Sequence, residues 1–447
     1  MSNQNIAVVG SGISGLAAAW LLSQRHRVTL IERGSRLGGH SNTLTCAMPD
    51  GEIAVDTGFI VYNEPCYPNL TALFAHLKVP TAPSAMSFSV SMGEGAYEYA
   101  GSTVLQLVGH ARNLVNPAHL RMVRDLLRFL KTAALRLETI PEQLTLAQFI
   151  RQEGYSAAFA ELHLLPMAGA IWSSAARDMR DYPARAFIRF FDNHGLLRIN
   201  DRPQWRTVKG GSQAYVSRLV ADGRFALADG GGAARILRRP QGVTIRLHDG
   251  SALEADQVVI ATHADQALRL LDQPGAEETR ILGGFAYSGN RTFLHTDPGL
   301  MPRRRRLWSS WNYLAPLQGG DAAPSTVSYW MNSLQPLPTA HDIFVSLNPP
   351  RPPRDDSIRA ELMYEHPIFN PRAMALQKEL WSLQGNSRTW FCGAYFGAGF
   401  HEDGLQAGLA VAEQLGGVAR PWTVAKPSGR IHVHERPAPD RVLEAAE

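Results

Sequence analysis

The chain has 447 residues, and its 45% hydrophobic and 19% charged residues are proportions of a globular protein with two or three domains. A formal net charge of +4 is too small to argue by itself for nucleic-acid binding, and no nucleic-acid-binding motif is visible. Three cysteines, Cys46, Cys66 and Cys392, are too few and too scattered for a disulfide framework or a metal site, so we expect a reducing compartment and no bound metal.

The first predicted element is a buried strand that runs into a glycine turn and a helix, over residues 6–15 (IAVVGSGISG). Gly10 allows a sharp turn, and Gly12 has no side chain to keep a pyrophosphate from the backbone. Ser14 follows in the first helical turn, and Gly15 lets the helix pack close to the strand. The helix N-terminus offers N–H groups and a positive dipole end to phosphates, which predicts a dinucleotide site.

A second apolar run, Val28–Ile31, ends on Glu32, at the spacing where an acid accepts the ribose hydroxyls of a dinucleotide. An acid at this position repels the 2′-phosphate of NADP. Glycines and polar residues continue beyond it, as a flavin's ribityl chain requires, so FAD is expected rather than NAD. The predicted FAD contacts in this stretch are Arg33, Arg36, Gly38, Gly39, His40, Asp56, Thr57 and Gly58.

These motifs, GxGxxG, then ERxxRxGG, then DxG, resemble those of the superfamily of flavin amine oxidases, phytoene desaturases and protoporphyrinogen oxidases. The resemblance continues in a glycine pair at 208–212, a predicted β-meander at 233–263 and a final strand and helix at 390–415. It implies further FAD contacts at Gly210, Gly211, Ser212, Ala234, Ala261, Thr262, Gly393, Gly404 and Leu405. Ala394 stands where the family usually has an acid for the ribityl chain, which leaves Glu402 or Asp403 as the candidate for that role.

The resemblance implies an α/β fold: an FAD-binding Rossmann-like domain with an interleaved α+β substrate domain, as in amine oxidases. The predicted FAD-binding domain is discontinuous, over 1–62, 207–280 and 386–420. The substrate domain comprises 63–206, predicted to be mainly helical, and 281–385, predicted to form strands. Residues 421–447 have no apolar periodicity and are predicted to form a surface strap.

Three histidine-containing segments are candidates for chemistry. Residues 397–404 (GAGFHEDG) lie just before the helix expected to face the flavin, so His401 or Glu402 could act as a base. Equally, the acids there could simply cap the helix. His194, at a helix-to-loop transition, could line the substrate pocket or could be structural. Residues 364–369 (YEHPIF) are expected to be extended and could line the same cavity.

Arg303–Arg306 form a dense basic run beside Trp308, and the helical region Arg121–Arg136 is basic as well. Such a run is commonly a solvated loop, but it could also bind an anionic membrane. No signal peptide precedes the first strand, and no run of about 18 uncharged apolar residues appears. We therefore expect a cytoplasmic chain with peripheral membrane contact as an alternative.

The predicted activity is that of an FAD-dependent oxidoreductase that transfers hydride from a C–H bond of an apolar substrate to flavin N5. Residues 194–197, 203–212, 329–335 and 399–409 resemble a bacterial flavoprotein subgroup similar to the flavoprotein domain fused to some plant cyclopropane fatty acid synthases. This resemblance implies unsaturated or branched fatty acyl substrates. A flavin amine oxidase, a redox-neutral double-bond isomerase and a non-catalytic flavin subunit of a lipid-modifying complex remain alternatives.

Overall fold

A computed structural model describes residues 3–316 and 325–434. The chain divides into two compact units, each defined by the contacts that its residues make with one another. The first unit comprises Met1–Ser35, Arg224–Gly284 and Ala375–Glu447, and the second comprises Arg36–Gly223 and Phe285–Met374. Of the helices in the described ranges, none is long and apolar enough to cross a membrane.

Strands β1 to β20 of the described residues span Asn5–Val9, Arg27–Ile31, Thr43–Met48, Gly51–Asp56, Tyr62–Asn63, Thr81–Ser84, Phe88–Met92, Tyr97–Ala100, Trp205–Val208, Ala226–Leu227, Ala233–Arg239, Gly242–Leu247, Ala252–Ala255, Gln257–Ile260, Ala286–His295, Trp311–Ala315, Thr326–Trp330, Phe344–Leu347, Ile358–Ile368 and Thr389–Phe391. Helices α1 to α15 span Ile13–Leu22, Pro68–His76, Val104–Val108, Pro117–Thr132, Leu146–Gln152, Ala157–Phe159, Leu165–Trp172, Ala176–Asp181, Ala184–Asn193, Gln213–Asp222, Ala264–Leu270, Ala276–Leu282, Met331–Leu334, Pro371–Gln377 and His401–Gly416.

The first unit contains a five-stranded parallel sheet in the order β10-β2-β1-β14-β20. Its central strand β1 is a continuous apolar run because helices cover both faces of such a sheet. Strands β11 to β13 form a separate antiparallel meander within residues 233–263. This α/β architecture confirms the predicted Rossmann-like fold.

Helix α1 is buried along its whole length, and it packs against α15. The two helices approach so closely that a Cβ at Gly408 of α15 would lie 2.1 Å from the carbonyl oxygen of Ser14. A Cβ at Gly15 would lie 1.9 Å from the carbonyl oxygen of Gly10. Glycine is therefore required on both helices for steric reasons.

The second unit is built on a seven-stranded sheet in the order β19-β15-β18-β17-β16-β7-β8. All its pairs are antiparallel except β16 with β7, where Trp311 pairs with Phe88. The 281–385 segment thus forms strands, and the segment 63–206 contains helices α2 to α9 together with strands that the sequence did not predict. These strands are β6 to β8, which follow α2, and the alternating residues of β7 and β8 complete the seven-stranded sheet.

The compact units do not coincide with the domains predicted from cofactor roles, because residues 36–62 and 207–223 pack within the second unit. The assignment of these segments to FAD binding stays a prediction. Part of the predicted strap is described: Arg430 forms an ion pair with Asp403 of α15, and Ile431 is buried. Residues 435–447 lie outside the described residues.

We expect Gly408→Ala to destabilise the first unit, although alanine ordinarily stabilises a helix interior by about 1 kcal/mol. The new methyl group would overlap the backbone of α1, which cannot rotate away, and such overpacking costs about 1–3 kcal/mol or more. The thermal unfolding midpoint of the holoprotein measures the effect. Gly275→Ala is the control, because a Cβ there meets nothing closer than 3.5 Å. Equal midpoints for the two variants would contradict the packing argument.

Candidate flavin site

The carboxyl ends of the parallel strands meet at one edge of the first unit's sheet. Gly10 follows β1 with a φ of 100°, and its N–H donates to the carbonyl of Ile31 at the end of β2. Ala261 and Thr262 follow β14 and lie against Gly10, while Gly393 follows β20. Ligands of open α/β sheets bind outside this edge.

The N-terminus of α1 opens at the same edge. No side chain caps it, and no acidic residue lies in its first turn. Around Gly12, its N-cap, a Cβ would meet nothing within 4 Å, although the neighbouring glycines Gly10 and Gly15 are tightly packed. A Cβ at Gly404 would lie 2.8 Å from the hydroxyl of Ser14, so α15 also begins beside this turn. The arrangement provides N–H donors and space for a pyrophosphate.

Glu32 lies beside the same turn. Its Oε2 accepts hydrogen bonds from the N–H (2.9 Å) and the hydroxyl (2.6 Å) of Ser11, and its Oε1 accepts one from the N–H of Gly34 (2.7 Å). A carboxylate accepts about four hydrogen bonds, which leaves capacity for one ribose hydroxyl. A second hydroxyl would have to displace the hydroxyl of Ser11, a competition that the sequence did not reveal.

The predicted adenine region also lies in the first unit. A Cβ at Gly232 would overlap Arg33, so the start of β11 approaches the residue that follows Glu32. Ala234 is exposed at a register shift between β11 and β12. The predicted contact of its backbone with adenine stays a prediction.

The first turn of α15 carries His401, Glu402 and Asp403. Asp403 accepts a hydrogen bond from the N–H of Phe400 (2.8 Å), caps the helix and forms an ion pair with Arg430. Glu402 is fully buried and accepts a hydrogen bond from Gln406 (2.8 Å). The geometry agrees with the capping alternative for Asp403, and the ribityl role of either acid stays a prediction.

His401 is partly accessible but is surrounded by protein atoms, and this desolvation lowers the pKa of its imidazole to about 3. It is therefore neutral at physiological pH and can donate or accept a hydrogen bond without carrying charge. A group with such a low pKa is a weak general base, so the predicted catalytic role requires hydrogen bonding more than proton transfer. Leu405 follows as a fully buried residue of α15.

The other predicted FAD contacts belong to the second unit and surround a buried carboxylate. Asp56 is fully buried, and its Oδ1 accepts from the hydroxyl of Thr43 (2.6 Å) and from the N–H and hydroxyl of Ser212 (both 2.8 Å). Its Oδ2 accepts from the amide of Gln335 (2.9 Å). Burial outweighs these hydrogen bonds and raises the pKa of Asp56 to about 6. Asp56 thus links three distant segments of this unit.

The glycines of the second unit serve close packing or left-handed turns. A Cβ at Gly58 would lie 2.2 Å from the carbonyl oxygen of His40, and one at Gly211 would overlap Thr43. Among the predicted FAD contacts of this unit, the residues with positive φ are Gly38, Gly39, Gly210 and Gly211. The guanidinium of Arg36 donates to the carbonyls of Gly39 and Ser41, so it holds the glycine turn in the described contacts. Its pairing with phosphate stays a prediction.

A polar and aromatic cluster in the second unit was only partly anticipated. Thr57 shares a hydrogen bond with the hydroxyl of Tyr364 (2.7 Å), which also accepts from Asn42 (2.8 Å). The ring of His40 lies 5.1 Å from that of Tyr364 and 5.3 Å from that of His366. Motif spacing indicated His40 and Thr57, but only strand pairing brings residues 364–366 beside them. Asn42 Oδ1 is buried without a hydrogen bond in the described ranges and remains available to a donor.

His194 lies in aromatic packing at the C-terminus of α9. Its ring stacks on Phe190 with centroids 3.8 Å apart and lies near Tyr67 and Trp205. Its Nδ1 lies 2.9 Å from the carbonyl oxygen of Phe190. These contacts agree with the structural alternative, and a catalytic role for His194 stays a prediction.

The comparisons with known proteins agree with this geometry. The model of the flavin-containing amine oxidoreductase family matches residues 13–329, more than half of the chain. The chain therefore belongs to this family, and the predicted class of flavin-dependent oxidoreductase and its cofactor, FAD, are confirmed. No curated protein sequence matches significantly.

Solved structures with similar folds cover the chain almost completely. A fatty acid isomerase from P. acnes that produces CLA is 16% identical, with a TM-score of 0.65, and covers 93% of this chain and 99% of its own. Cyclohexylamine oxidase from Brevibacterium oxydans IH-35A is 16% identical, with a TM-score of 0.65 and coverages of 93% and 100%. Putrescine oxidase bound to putrescine is 15% identical, with a TM-score of 0.63 and coverages of 93% and 99%. At such identities these similarities establish the fold.

The residues of the first unit fit FAD. The uncapped N-terminus of α1 and the open space at Gly12 suit its pyrophosphate, and the remaining acceptor capacity of Glu32 suits its ribose. In the described parts of the chain, no cluster of three or more His, Cys, Asp or Glu side chains could hold a metal ion.

We expect Gly12→Ala to weaken FAD binding at least about tenfold, because its methyl group would occupy the space through which the phosphates approach the backbone. Gly275→Ala is a matched control: both glycines are helix N-caps with extended backbone and open surroundings. Fluorescence titration of the apoprotein with FAD measures the affinities. If the two variants bound FAD equally well, the pyrophosphate would not lie at α1.

We expect Asp56→Asn to remove a pH dependence of stability. Because the folded-state pKa is about 6 against an ordinary value of 3.8, the folded protein binds more protons than the unfolded chain between these values. Wild-type stability relative to the variant should therefore fall by up to about 3 kcal/mol as the pH rises from 4 to 7. Denaturant unfolding of the apoprotein across this range measures it, with exposed Asp355→Asn as control. A constant difference between wild type and Asp56→Asn would rule out the elevated pKa.

Proposed function

We propose that this flavoprotein oxidises a C–H bond of an apolar substrate, an unsaturated or branched fatty acyl chain, with transfer of hydride to flavin N5. The bound flavin supplies the two-electron acceptor, and the protein supplies binding, orientation and exclusion of water. One observation carries the proposal: the second unit has an apolar cluster that is fringed by half-exposed apolar side chains.

This cluster is centred on the inner strands of the seven-stranded sheet. Val327, Tyr329, Val345 and Leu347 are buried there against residues of the hairpin β3–β4. Apolar side chains that retain some exposure pack against its margin, and these are Leu44, Met48, Met86, Phe88, Trp205, Trp311, Leu337 and Ala360. An apolar ligand that covers these side chains binds more favourably by roughly 25 cal/mol for each Å² of apolar surface that it removes from water.

Two charged groups at this cluster, Arg359 and Asp56, favour an acyl substrate over an amine. Arg359 interacts with the thiol of Cys46, a buried member of the cluster, so a cation is available at its margin for a carboxylate. Asp56, which follows Val55 of the cluster, already accepts four hydrogen bonds from Thr43, Ser212 and Gln335. Asp56 therefore offers little further acceptor capacity to a substrate ammonium group.

The fold by itself is compatible with either substrate class, since the similar structures include a fatty acid isomerase and two amine oxidases. The similarity to the fatty acid isomerase supports a second candidate function, that of a redox-neutral double-bond isomerase. Isomerisation consumes no oxidant, and so a product analysis distinguishes it from oxidation.

The decisive experiment is anaerobic mixing of the purified yellow holoprotein with unsaturated fatty acids, putrescine and cyclohexylamine. We expect a fatty acid to bleach the visible flavin band and both amines to leave it unchanged. Bleaching by an amine alone would refute the proposal in favour of an amine oxidase. A fatty acid recovered with a shifted double bond and no net flavin reduction would replace oxidation by isomerisation. An FAD-loaded protein that binds fatty acids but converts none would be a non-catalytic flavin subunit.

A pair of matched variants tests where the substrate binds. We expect Leu337→Glu to raise KM for the fatty acid at least about tenfold, because it places a charge at the margin of the apolar cluster. Met363→Glu makes the same change at a side chain that is already 64% exposed on β19 and should leave KM within about twofold. An intact flavin spectrum shows that each variant is folded. Equal KM values would place the substrate elsewhere.

A further inference from the structure

Exposed apolar side chains are concentrated on one part of the second unit. Within the described residues, the large hydrophobic side chains with high exposure are Val104, Leu105, Leu114, Val115, Leu120, Leu127, Leu135, Ile199, Leu227, Met363 and Val433. Seven of these eleven lie between residues 104 and 135, in α3, α4 and their flanks. Scattered exposed apolar residues are ordinary, but such a concentration marks a surface that something covers.

The exposed residues of α4 lie along one face of the helix. Leu120 and Leu127 are separated by seven residues, two helical turns, and are 51% and 50% exposed. Basic side chains stand between and beside them at helical spacing: Arg121, Arg124, Arg128 and Lys131. We call this surface the outer face of α4.

The charge of this region has a single sign at the surface. Residues 103–137 contain six arginines and lysines and one acid, Asp125. Asp125 is buried, where it pairs with Arg124 and accepts from the N–H of Ser156. Arg121 and Lys131 have no ion-pair partner in the described parts of the chain. The outer face of α4 is therefore cationic as well as apolar.

An open groove of about 710 Å³ adjoins the outer face of α4. It is lined by Leu127, Leu130, Lys131 and residues 197–201, which include the exposed Ile199 and one acid, Asp201. The lining of this groove thus combines apolar side chains with the basic side chains of Lys131 and Arg198.

The basic run that the sequence singled out is engaged in internal contacts. Arg304 pairs with the buried carboxylate of Glu98, and Arg305 pairs with Asp342 and lies over the ring of Trp308. Arg306 donates to the carbonyl of Gly109. Arg304, Arg305 and Arg306 thus tie loops together, and carboxylates neutralise the charges of Arg304 and Arg305.

We propose that the outer face of α4, together with α3 and residues 111–115, docks on an anionic lipid bilayer. Its leucines and valines enter the interfacial layer, while Arg112, Arg121 and Lys131 bind lipid phosphates. A second copy of the chain fits this surface poorly, since a twofold-symmetric contact would bring cations against cations. This inference concerns attachment rather than chemistry and does not depend on the proposed substrate.

Co-sedimentation of the holoprotein with vesicles tests the proposal. We expect binding to vesicles of phosphatidylcholine with phosphatidylglycerol, at least about tenfold weaker binding to phosphatidylcholine alone, and loss of binding in high salt. Binding to neither vesicle, or equal binding to both, would overturn it. Because the readout is sedimentation, its failure leaves the result of the flavin reduction experiment untouched.

Two double variants test whether the outer face of α4 is the surface that binds the vesicles. Leu120→Glu with Leu127→Glu, and Arg121→Glu with Lys131→Glu, should each weaken binding to the anionic vesicles at least about tenfold. The controls Met363→Glu and Arg246→Glu alter an exposed apolar and an exposed basic residue elsewhere and should change binding less than about twofold. An unchanged flavin spectrum verifies folding. Undiminished binding by both double variants would overturn the proposal. So would a dimer in light scattering that Leu120→Glu with Leu127→Glu converts to a monomer.

Discussion

The close contact between α1, the glycine turn and α15 is the constraint on which the candidate cofactor site depends. Gly15 brings α1 against Gly10, and Gly408 brings α15 against Ser14, at separations that exclude any side chain. With α1 held in this position, its N-terminus opens at the carboxyl edge of the parallel sheet. The uncapped N–H groups there favour a negatively charged ligand, so the packing of glycines produces the candidate phosphate site.

In the second unit, hydrogen bonds to buried polar groups have the corresponding role. Asp56 holds together β3, the start of α10 and Gln335, at the cost of burying a carboxylate without a cation. Tyr364 links Thr57 and Asn42 in the same way. These groups occupy positions of the predicted cofactor motif, yet the contacts described for them are to one another. Motif residues thus shape the region around the predicted cofactor contacts.

Desolvation decides what the histidines can do. Burial lowers the pKa of His401 to about 3 and those of His163 and His295 to about 4, so all three are neutral at physiological pH. Neutral imidazoles suit an apolar environment and an uncharged reacting carbon. Positive charge is instead displayed at the surface, along the outer face of α4, where water or lipid phosphates solvate it.

The sequence by itself determined the dinucleotide fold, the flavin and the residues of the glycine turn, because these depend on local spacing along βαβ units. It also indicated the acids of α15 and the 364–366 segment, without their partners. Only the tertiary structure decided that Asp403 pairs with Arg430, that residues 88–100 complete the second sheet, and that Arg304 and Arg305 of the basic run pair with Glu98 and Asp342. These outcomes depend on strand order and on contacts between residues far apart in the chain, which local periodicity does not encode.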